Sequence, residues 1–353
     1  MNNAILISGG VDSSVALRLM QQQGHQLTAF YLKIWLEDEL SFLGTCPWEE
    51  DLAYVREVCK QANVPLEVIS LQEDYWDQVV SYTIAEIKAG RTPNPDILCN
   101  QRVKFGAFLR VVNNQFDGVA TGHYAQKEER DGKAFLVRAV DDFKDQTYFL
   151  SHLNQDQLKR ALFPIGHLTK PQVRQLAAEF NLPNMARKDS QGICFLGKLK
   201  FADFVRHHLG ERTGKLVEWE TGKIVGEHKG FWFYTLGQRQ GIGLAGGPWY
   251  VVSKNVDTNT VFISRNYFSE EKERKSFSIS SSNWIPDKES LHPLYVKVRH
   301  GQHMIPVKLE ELTTDRHRVT LTEQDQALAP GQFAVFYDDR YCFGGGVIEG
   351  IQE

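Results

Sequence analysis

Residues 4–23, AILISGGVDSSVALRLMQQQ, run from a short apolar stretch through a glycine pair into a helical pattern, and this junction constrains the fold most. Ala4–Ile7 reads as a strand and Val11–Gln23 as a helix, with Val15, Leu17 and Leu19 among its apolar positions. The alternation recurs, with strands at Leu27–Leu32, Leu66–Leu71 and Gly118–Thr121 and helices near Trp48–Ala62, Val103–Phe116, Gln155–Leu162 and Pro171–Phe180. Pro171 suits a first helical turn. Alternation of this kind implies an α/β domain built on a doubly wound parallel sheet.

Beyond about Leu209 glycines and aromatics become frequent, and short β-type runs follow one another at Trp249–Val252, Val261–Ser264, Leu294–Arg299, Ile305–Leu309, Arg318–Leu321 and Phe333–Tyr337. Turn signals such as Asp257-Thr258-Asn259 and Pro330-Gly331 separate them. The polar stretch Ser269–Ser282 reads as a linker or exposed loop. The expected organisation is an α/β domain over 1–208, a small mixed domain over 209–275 and a C-terminal β-barrel over 276–353. A chain of 353 residues is long for one core, so several domains are expected on size alone.

Five cysteines, with no C-x-x-C pair and no Cys/His cluster at zinc spacing, disfavour a disulfide scaffold or finger-type metal site and suit a reducing, cytoplasmic setting. The N-terminus has no basic leader and no apolar run of signal-peptide form. No segment approaches the roughly 18 apolar residues of a membrane span, so no membrane partner is expected. A net charge of −4 means that any polyanion must meet a local basic face. Leu196–Pro248 carries eight Lys/Arg (Lys198, Lys200, Arg206, Arg212, Lys215, Lys223, Lys229, Arg239) against five acids (Asp203, Glu211, Glu218, Glu220, Glu227), a balance of 8 − 5 = +3. That is a modest basic footprint.

In the loop LISGGVDSS, Gly9 and Gly10 permit a tight turn with open backbone N–H groups, and the helix N-terminus adds positive potential. Ser8, Ser13 and Ser14 add hydroxyl donors, so phosphate is well served. No Gly-Lys-Ser/Thr follows, so this is not a Walker loop and it lacks that motif's lysine for the outer phosphates. The order Ser-Gly-Gly-Val-Asp-Ser instead resembles the PP-loop of ATP pyrophosphatases, which cleave ATP between the α- and β-phosphates while adenylating a substrate oxygen. A second glycine pattern, GIGLAG at 241–246, matches G-x-G-x-x-G in letters. It follows the polar Gln238-Arg239-Gln240 and leads into Pro248 and a strand, so it is read as a flexible loop and not as a dinucleotide site.

Two cysteines sit in polar, turn-rich settings. In NPDILCN (94–100), Pro93 and Pro95 bias their predecessors toward extended backbone, and the stretch reads as a loop that places Cys99 near Asp96, Arg102 and Lys104. Nearby cations lower a thiol's pKa, and Asp96 is placed to shuttle a proton. The competing reading makes Cys99 a small apolar filler at a helix start. Cys194 lies in RKDSQGICFLG (187–197), 95 positions further on. Cys46, Cys59 and Cys342 have no comparable setting and are read as structural.

Six stretches, Ser8–Ser14, GRTPNPDILCN (90–100), ATGHYA (120–125), KDQTYFL (144–150), KDSQGICF (188–195) and YTLGQRQGIG (234–243), together resemble the bacterial and organellar tRNA 2-thiouridylase family over essentially the whole chain. The resemblance implies a PP-loop domain of the adenine nucleotide alpha hydrolase-like type. It also implies exchange of oxygen for sulfur at carbon 2 of the wobble uridine in tRNAs for Lys, Glu and Gln, with ATP and Mg²⁺ and a sulfur donor such as a cysteine desulfurase or sulfur-relay protein. By resemblance, Leu6, Ile7, Ser8, Gly9, Gly10, Val11, Asp12, Ser13, Leu32 and Gly122 line the ATP site, with Asp12 helping to hold Mg²⁺. Asn94, Pro95 and Asp96 face the flipped-out uridine, Cys194 carries a persulfide and Cys99 is the nucleophile that completes transfer. Base flipping fits, since chemistry on a base requires it outside the stack.

Further tRNA contacts are implied at His123, Lys144, Asp145, Gln146, Arg299, His300 and Gln332. The resemblance places a basic residue, sometimes an aromatic, at the position of His300, so that contact is expected to weaken above neutral pH. Leu32 stands where the family often has methionine; a backbone contact to adenine survives that change. Some related thiolases carry an iron–sulfur cluster, which Cys99, Cys194 and a carboxylate are able to ligate, but none is expected. Two rivals stand against this reading. A PP-loop enzyme that adenylates a small molecule explains Ser8–Ser14 but not the two cysteines, and a non-catalytic RNA-binding protein leaves the intact loop without a role.

Overall fold

The computed structural model describes residues 1–34, 47–189, 200–266, 274–285, 294–325 and 328–352, so Cys46 and Cys194 lie outside the described residues. The N-terminal sheet contains β1 (Asn2–Leu6), β2 (Gln26–Lys33), β3 (Leu66–Ser70), β4 (Gly118–Ala120) and β7 (Ala161–Leu162), in the order β3-β2-β1-β4-β7. All its pairings are parallel, and Ala4, Ile5, Ala29, Val119 and Ala120 are fully buried. Helices α1 (Val11–Gln22) and α2 (Pro47–Ala62) cross between the first three strands, and α3 (Ser81–Lys88) follows β3. The strand order reverses between β1 and β4. In a doubly wound sheet, the crevice at the carboxyl ends of those two strands is where ligands bind.

Two local expectations change. Residues 95–112 form one continuous helix, α4, which is α-helical over Pro95–Leu98, π-helical over Cys99–Ala107 and α-helical again over Phe108–Val112. The stretch NPDILCN is therefore a helix start and not a loop. Asn94 keeps the extended backbone that precedes a proline, its Oδ1 accepts Ile97 N–H at 3.4 Å, and Pro95 occupies the first turn, where a missing N–H costs nothing. The helix expected over Gln155–Leu162 ends at Arg160, and its last two residues are β7.

A central four-stranded sheet runs in the order β10-β11-β8-β9, from β8 (Gly214–Glu218), β9 (Ile224–His228), β10 (Tyr250–Asn255) and β11 (Thr260–Ser264). GIGLAG lies outside its strands and precedes β10, not a helix, as expected of a plain loop.

The C-terminal strands are β12 (Ser276–Trp284), β13 (Tyr295–Lys297), β14 (Ile305–Glu311), β15 (His317–Leu321), β16 (Phe333–Tyr337) and β17 (Tyr341–Gln352). They follow the order β12-β15-β14-β13-β16-β17 and close into a barrel through β12–β17. The expected linker Ser269–Ser282 is corrected here, because from Ser276 it is β12, paired on both edges. Phe277 and Ile279 alternate into the core, a period hidden by the serines around them.

A hairpin from the α/β domain, β5 (Gln126–Arg130) and β6 (Lys133–Val137), turns at Asp131-Gly132 and adds itself to the barrel edge, with Val137 opposite Tyr341 and Leu136 opposite Cys342. Tyr148 Oη donates to Phe333 O at 3.0 Å, and Asn283 Nδ2 donates to Ser151 O at 2.9 Å and Leu153 O at 3.1 Å. At the centre of this junction the Lys297 ammonium lies 3.3 Å from Asp145 Oδ2, with each side chain no more than 2% exposed. Among the described residues no helix is long and apolar enough to cross a membrane.

The Asp145–Lys297 pair is buried between the two units, so Lys297→Met, which leaves the carboxylate only the longer ion pair to Arg138 Nε at 4.0 Å, should cost about 3 kcal/mol. Urea unfolding of the full chain checks this. A loss below about 1 kcal/mol is what a solvated surface pair would give.

Candidate active site

The loop between β1 and α1 is held from behind. Gly9 O accepts from Asn184 Nδ2 at 2.8 Å and from Arg187 Nη1 at 3.0 Å, while Arg187 also pairs with Asp51. Ser13 Oγ and Ser14 Oγ both donate to Gly10 O, at 3.1 and 3.0 Å, and Ser8 N–H reaches Ser13 Oγ at 3.2 Å. With carbonyls engaged on the protein side, the loop is rigid before any anion arrives. Gly122, just after β4, closes its other flank: a Cβ there would lie 2.6 Å from Ser13 N. Leu32 ends β2 beside Lys33, on the same carboxyl side of the sheet.

Asp12 does not stand free. Its carboxylate accepts from Tyr124 Oη at 3.0 Å and from Lys170 Nζ at 2.7 and 2.9 Å. Burial, then the charge of Asp12, pushes the Tyr124 phenol far above its ordinary range, so it stays a donor. Lys170, at the start of helix α5 (Lys170–Glu179), also lies 2.8 Å from Asp189. Asp189 further accepts from Lys144 at 2.8 Å and from Arg174 at 2.5 Å. Burial alone would raise the Asp189 carboxyl, but hydrogen bonds from Lys144 and Lys170 outweigh it and hold it well below the usual carboxylate range. Lys144, Lys170, Arg174, Lys188 and Asp189 line an open cleft of about 700 Å³.

The second half of the site surrounds the start of α4. Asn94 and Asp96 are half-buried and Pro95 is buried. Thr92 N–H donates to Pro330 O of the barrel at 2.7 Å, and a Cβ on Gly90 would lie 2.6 Å from Val256 of the central sheet. Three structural units thus meet on residues 90–95.

Cys99 is fully buried in the core among residues such as Leu98 and Val103. Burial pushes its thiol up to about 11, with Lys104 opposing and Asp96 reinforcing the shift. The expected lowering by cations is therefore not what this state has. Arg102 turns away, donating to Gln78 O at 3.0 Å and lying over the Tyr82 ring, and Lys104 Nζ donates to Asn100 Oδ1 at 2.9 Å.

His123 lies between the two halves. Its Nδ1 is 2.8 Å from Thr121 Oγ1, and burial first, then the charge of Lys104, keeps the ring neutral. His300 stacks on Phe149 with ring centroids 4.6 Å apart, and burial lowers its pKa despite a hydrogen bond to Asp145 O at 3.2 Å. The direction of that shift disfavours the charged ring, which adds to the expectation of a contact weakened as pH rises. Asp145, expected to touch tRNA, is 2% exposed and accepts from Thr147, Ala139 N–H and Lys297. Its side chain is a fastener and not a surface contact.

Gln146 braces Tyr124 N–H through Oε1 at 2.9 Å, Arg299 pairs with Asp325 at 2.9 Å while half-exposed, and Gln332 Nε2 reaches Pro93 O at 3.5 Å. The residues whose roles went unforeseen in the sequence are Lys170, Asn184, Arg187, Tyr124 and Asp189, the last three inside quoted stretches. Cys59 and Cys342 are buried thiols, pushed up to about 11 and about 12 by desolvation.

Family models cover this architecture unit by unit: a tRNA methyl transferase HUP domain over 1–198, a tRNA methyl transferase PRC-barrel domain over 202–265 and an aminomethyltransferase beta-barrel domain over 274–348. Curated relatives named tRNA-specific 2-thiouridylase MnmA align from end to end. The Parabacteroides distasonis protein is 42% identical over 99% of both chains. Two further relatives named 2-thiouridylase are the Bacteroides thetaiotaomicron protein, 44% identical over 99% of both chains, and a Bacteroides fragilis protein, 43% identical over 99% of this chain and 100% of its own. The chain belongs to the tRNA-specific 2-thiouridylase family. Within the family frame, the strap Thr121–Tyr124 touches the loop 8–14 through Gly122 and Tyr124, and its His123 ring meets Phe163 edge-on, which in turn packs on Phe105 of the cysteine helix.

A thiol at about 11 instead of 9 has about 100-fold less thiolate at pH 8. Its folded pKa is raised, so reactivity stays low at neutral pH and rises only as pH climbs toward that value. Peptide-resolved alkylation of the ligand-free protein should show Cys99 modified about 100-fold more slowly than a free thiol at pH 8. Equal rates would show a thiolate already formed.

Proposed function

We propose that the chain is a tRNA-uridine 2-sulfurtransferase, converting the wobble uridine of tRNAs for Lys, Glu and Gln to 2-thiouridine. The observation that carries the reading is the juxtaposition just described, of a braced phosphate loop and a buried cysteine helix joined by one short strap. The names of the relatives supply the transferred group. The matching domain is named for methyl transfer; a cysteine in each of two sequence motifs that the chain shares with the thiouridylases favours sulfur.

The uridine carbon-2 oxygen attacks the α-phosphorus of ATP, and pyrophosphate leaves toward the loop's open N–H groups. The terminal sulfur of a persulfide on Cys194 then attacks carbon 2, and AMP departs with the original oxygen. Cys99 attacks the remaining Cys194 sulfur, breaking the S–S bond; the two electrons that reduce the transferred sulfur leave a Cys99–Cys194 disulfide, which a thiol reductant reopens. That last step needs Cys99 as thiolate, so the buried, protonated state is a resting one. Entry of the base beside Asp96 and Lys104 is what opens it, and such enclosure and opening accompany reactive intermediates generally. His123, neutral, offers a face and a ring nitrogen to the base without competing for phosphate.

Mg²⁺ suits Asp12, whose carboxylate already binds a cation through both oxygens. Magnesium commonly uses one or two carboxylates together with substrate phosphates, and it would neutralise charge on the departing pyrophosphate.

Nucleoside mass spectrometry of tRNA incubated with the protein, ATP, cysteine and a cysteine desulfurase should reveal 2-thiouridine. Cys99→Ser and Cys194→Ser should both abolish it while AMP formation continues; Cys99→Ser should still carry a persulfide and Cys194→Ser should not. Asp12→Ala should lower AMP formation at least about 100-fold with tRNA affinity little changed. Pyrophosphate release that proceeds equally without tRNA would favour a small-molecule substrate.

A further inference from the structure

The glycine loop has no lysine of its own, yet a lysine reaches it from 158 positions away. We propose that Lys170 is a phosphate ligand of this site, supplying the cation for the outer phosphates of ATP, and hence for the pyrophosphate product, that a Walker motif carries internally. The inference rests on the ATP reading above and extends it to a residue outside the loop, the strap and the cysteine motifs.

Its placement is specific. Thr169 and Gln172 form a capping box, Pro171 follows Lys170 in the first turn, and Asp141 Oδ2 accepts Lys170 N–H at 2.8 Å, so the backbone at this position is fixed. The side chain is only 14% exposed and runs to Asp12 at 2.7 Å on one side and to Asp189 at 2.8 Å on the other, passing 5.8 Å from the centre of the Tyr124 ring. It therefore joins the N-terminus of α1, where the loop's donors open, to the cleft lined by Lys144, Arg174, Lys188 and Asp189.

That cleft carries four cations and one carboxylate. Lys144, Lys170 and Arg174 all converge on Asp189, within 2.8 Å. Three cationic donors converging on one oxyanion is a geometry that also fits a phosphate group. Asp189 holds them in place when no phosphate is there, and Asp12 takes the fourth side. With the outer phosphates bound, Lys170 would turn from Asp12 to a phosphate oxygen and leave the Asp12 carboxylate to hold Mg²⁺, while Asp189 would keep Lys144 and Arg174. A purely structural role would make Lys170 a clip between α1 and α5; it predicts equal effects on every ligand.

Calorimetric titration of the full chain with ATP, AMP and inorganic pyrophosphate, each with Mg²⁺, separates the two. Lys170→Met should weaken ATP and pyrophosphate about tenfold or more, the value of one lost charge-assisted hydrogen bond, and leave AMP within about twofold. Lys170→Arg, which keeps the charge and is suited to the fold, should retain pyrophosphate binding within a few-fold. Equal weakening of ATP and AMP in Lys170→Met, or unchanged pyrophosphate affinity, overturns the inference while leaving the ATP reading intact. Lack of ATP and pyrophosphate binding by the unmodified protein would overturn both.

Discussion

A carboxylate shut away from water holds this molecule together. Asp145 sits at 2% exposure, hydrogen-bonded to Thr147 and Ala139 N–H on its own side and facing the Lys297 ammonium across the junction. Two charges out of solvent tolerate no loose alternative, because breaking such a pair leaves one of them unmatched. The pair therefore sets where the barrel lies on the α/β domain. That position in turn puts Pro330 against Thr92, Gln332 against Pro93 and His300 over Phe149. Residues 90–95 are thus shaped by contacts from the barrel.

This arrangement also explains why the cysteine helix begins where it does. Residues 90–95 are pinned by the barrel on one side and the central sheet on the other, leaving Asn94 extended and Pro95 free to open α4. Cys99 then falls one turn inside the helix and into the core, protonated and inert. Burial, helped by Asp96 and opposed by Lys104, keeps the thiol protonated, and a base entering here would meet those two charged groups.

Much of this was readable in the chain. Period and punctuation over 4–23, and its repetition, led to the parallel sheet, and the glycine loop after β1 led to the crevice beside β4. What stayed hidden depended on partners far along the chain. Serines masked the two-residue period of β12, whose pairing with β17 closes the barrel. Nothing local in KPQVR says which carboxylate Lys170 will meet, and a polar Lys-Asp-Gln triplet reads as surface until Lys297 is seen to pair with its buried middle residue. NPDILCN misled because two prolines signal turns as readily as a first helical turn; the cap on Ile97 N–H decides it.

The central claim is that the target base enters the crevice bounded by residues 90–104 and His123, with the barrel and central sheet as its frame. An anticodon stem-loop RNA bearing a photoreactive uridine at the wobble position, cross-linked to the full chain and mapped by peptide mass spectrometry, tests it directly. Cross-links within 90–104 or at His123 are the predicted result. Cross-links confined to the barrel or the central sheet would contradict it.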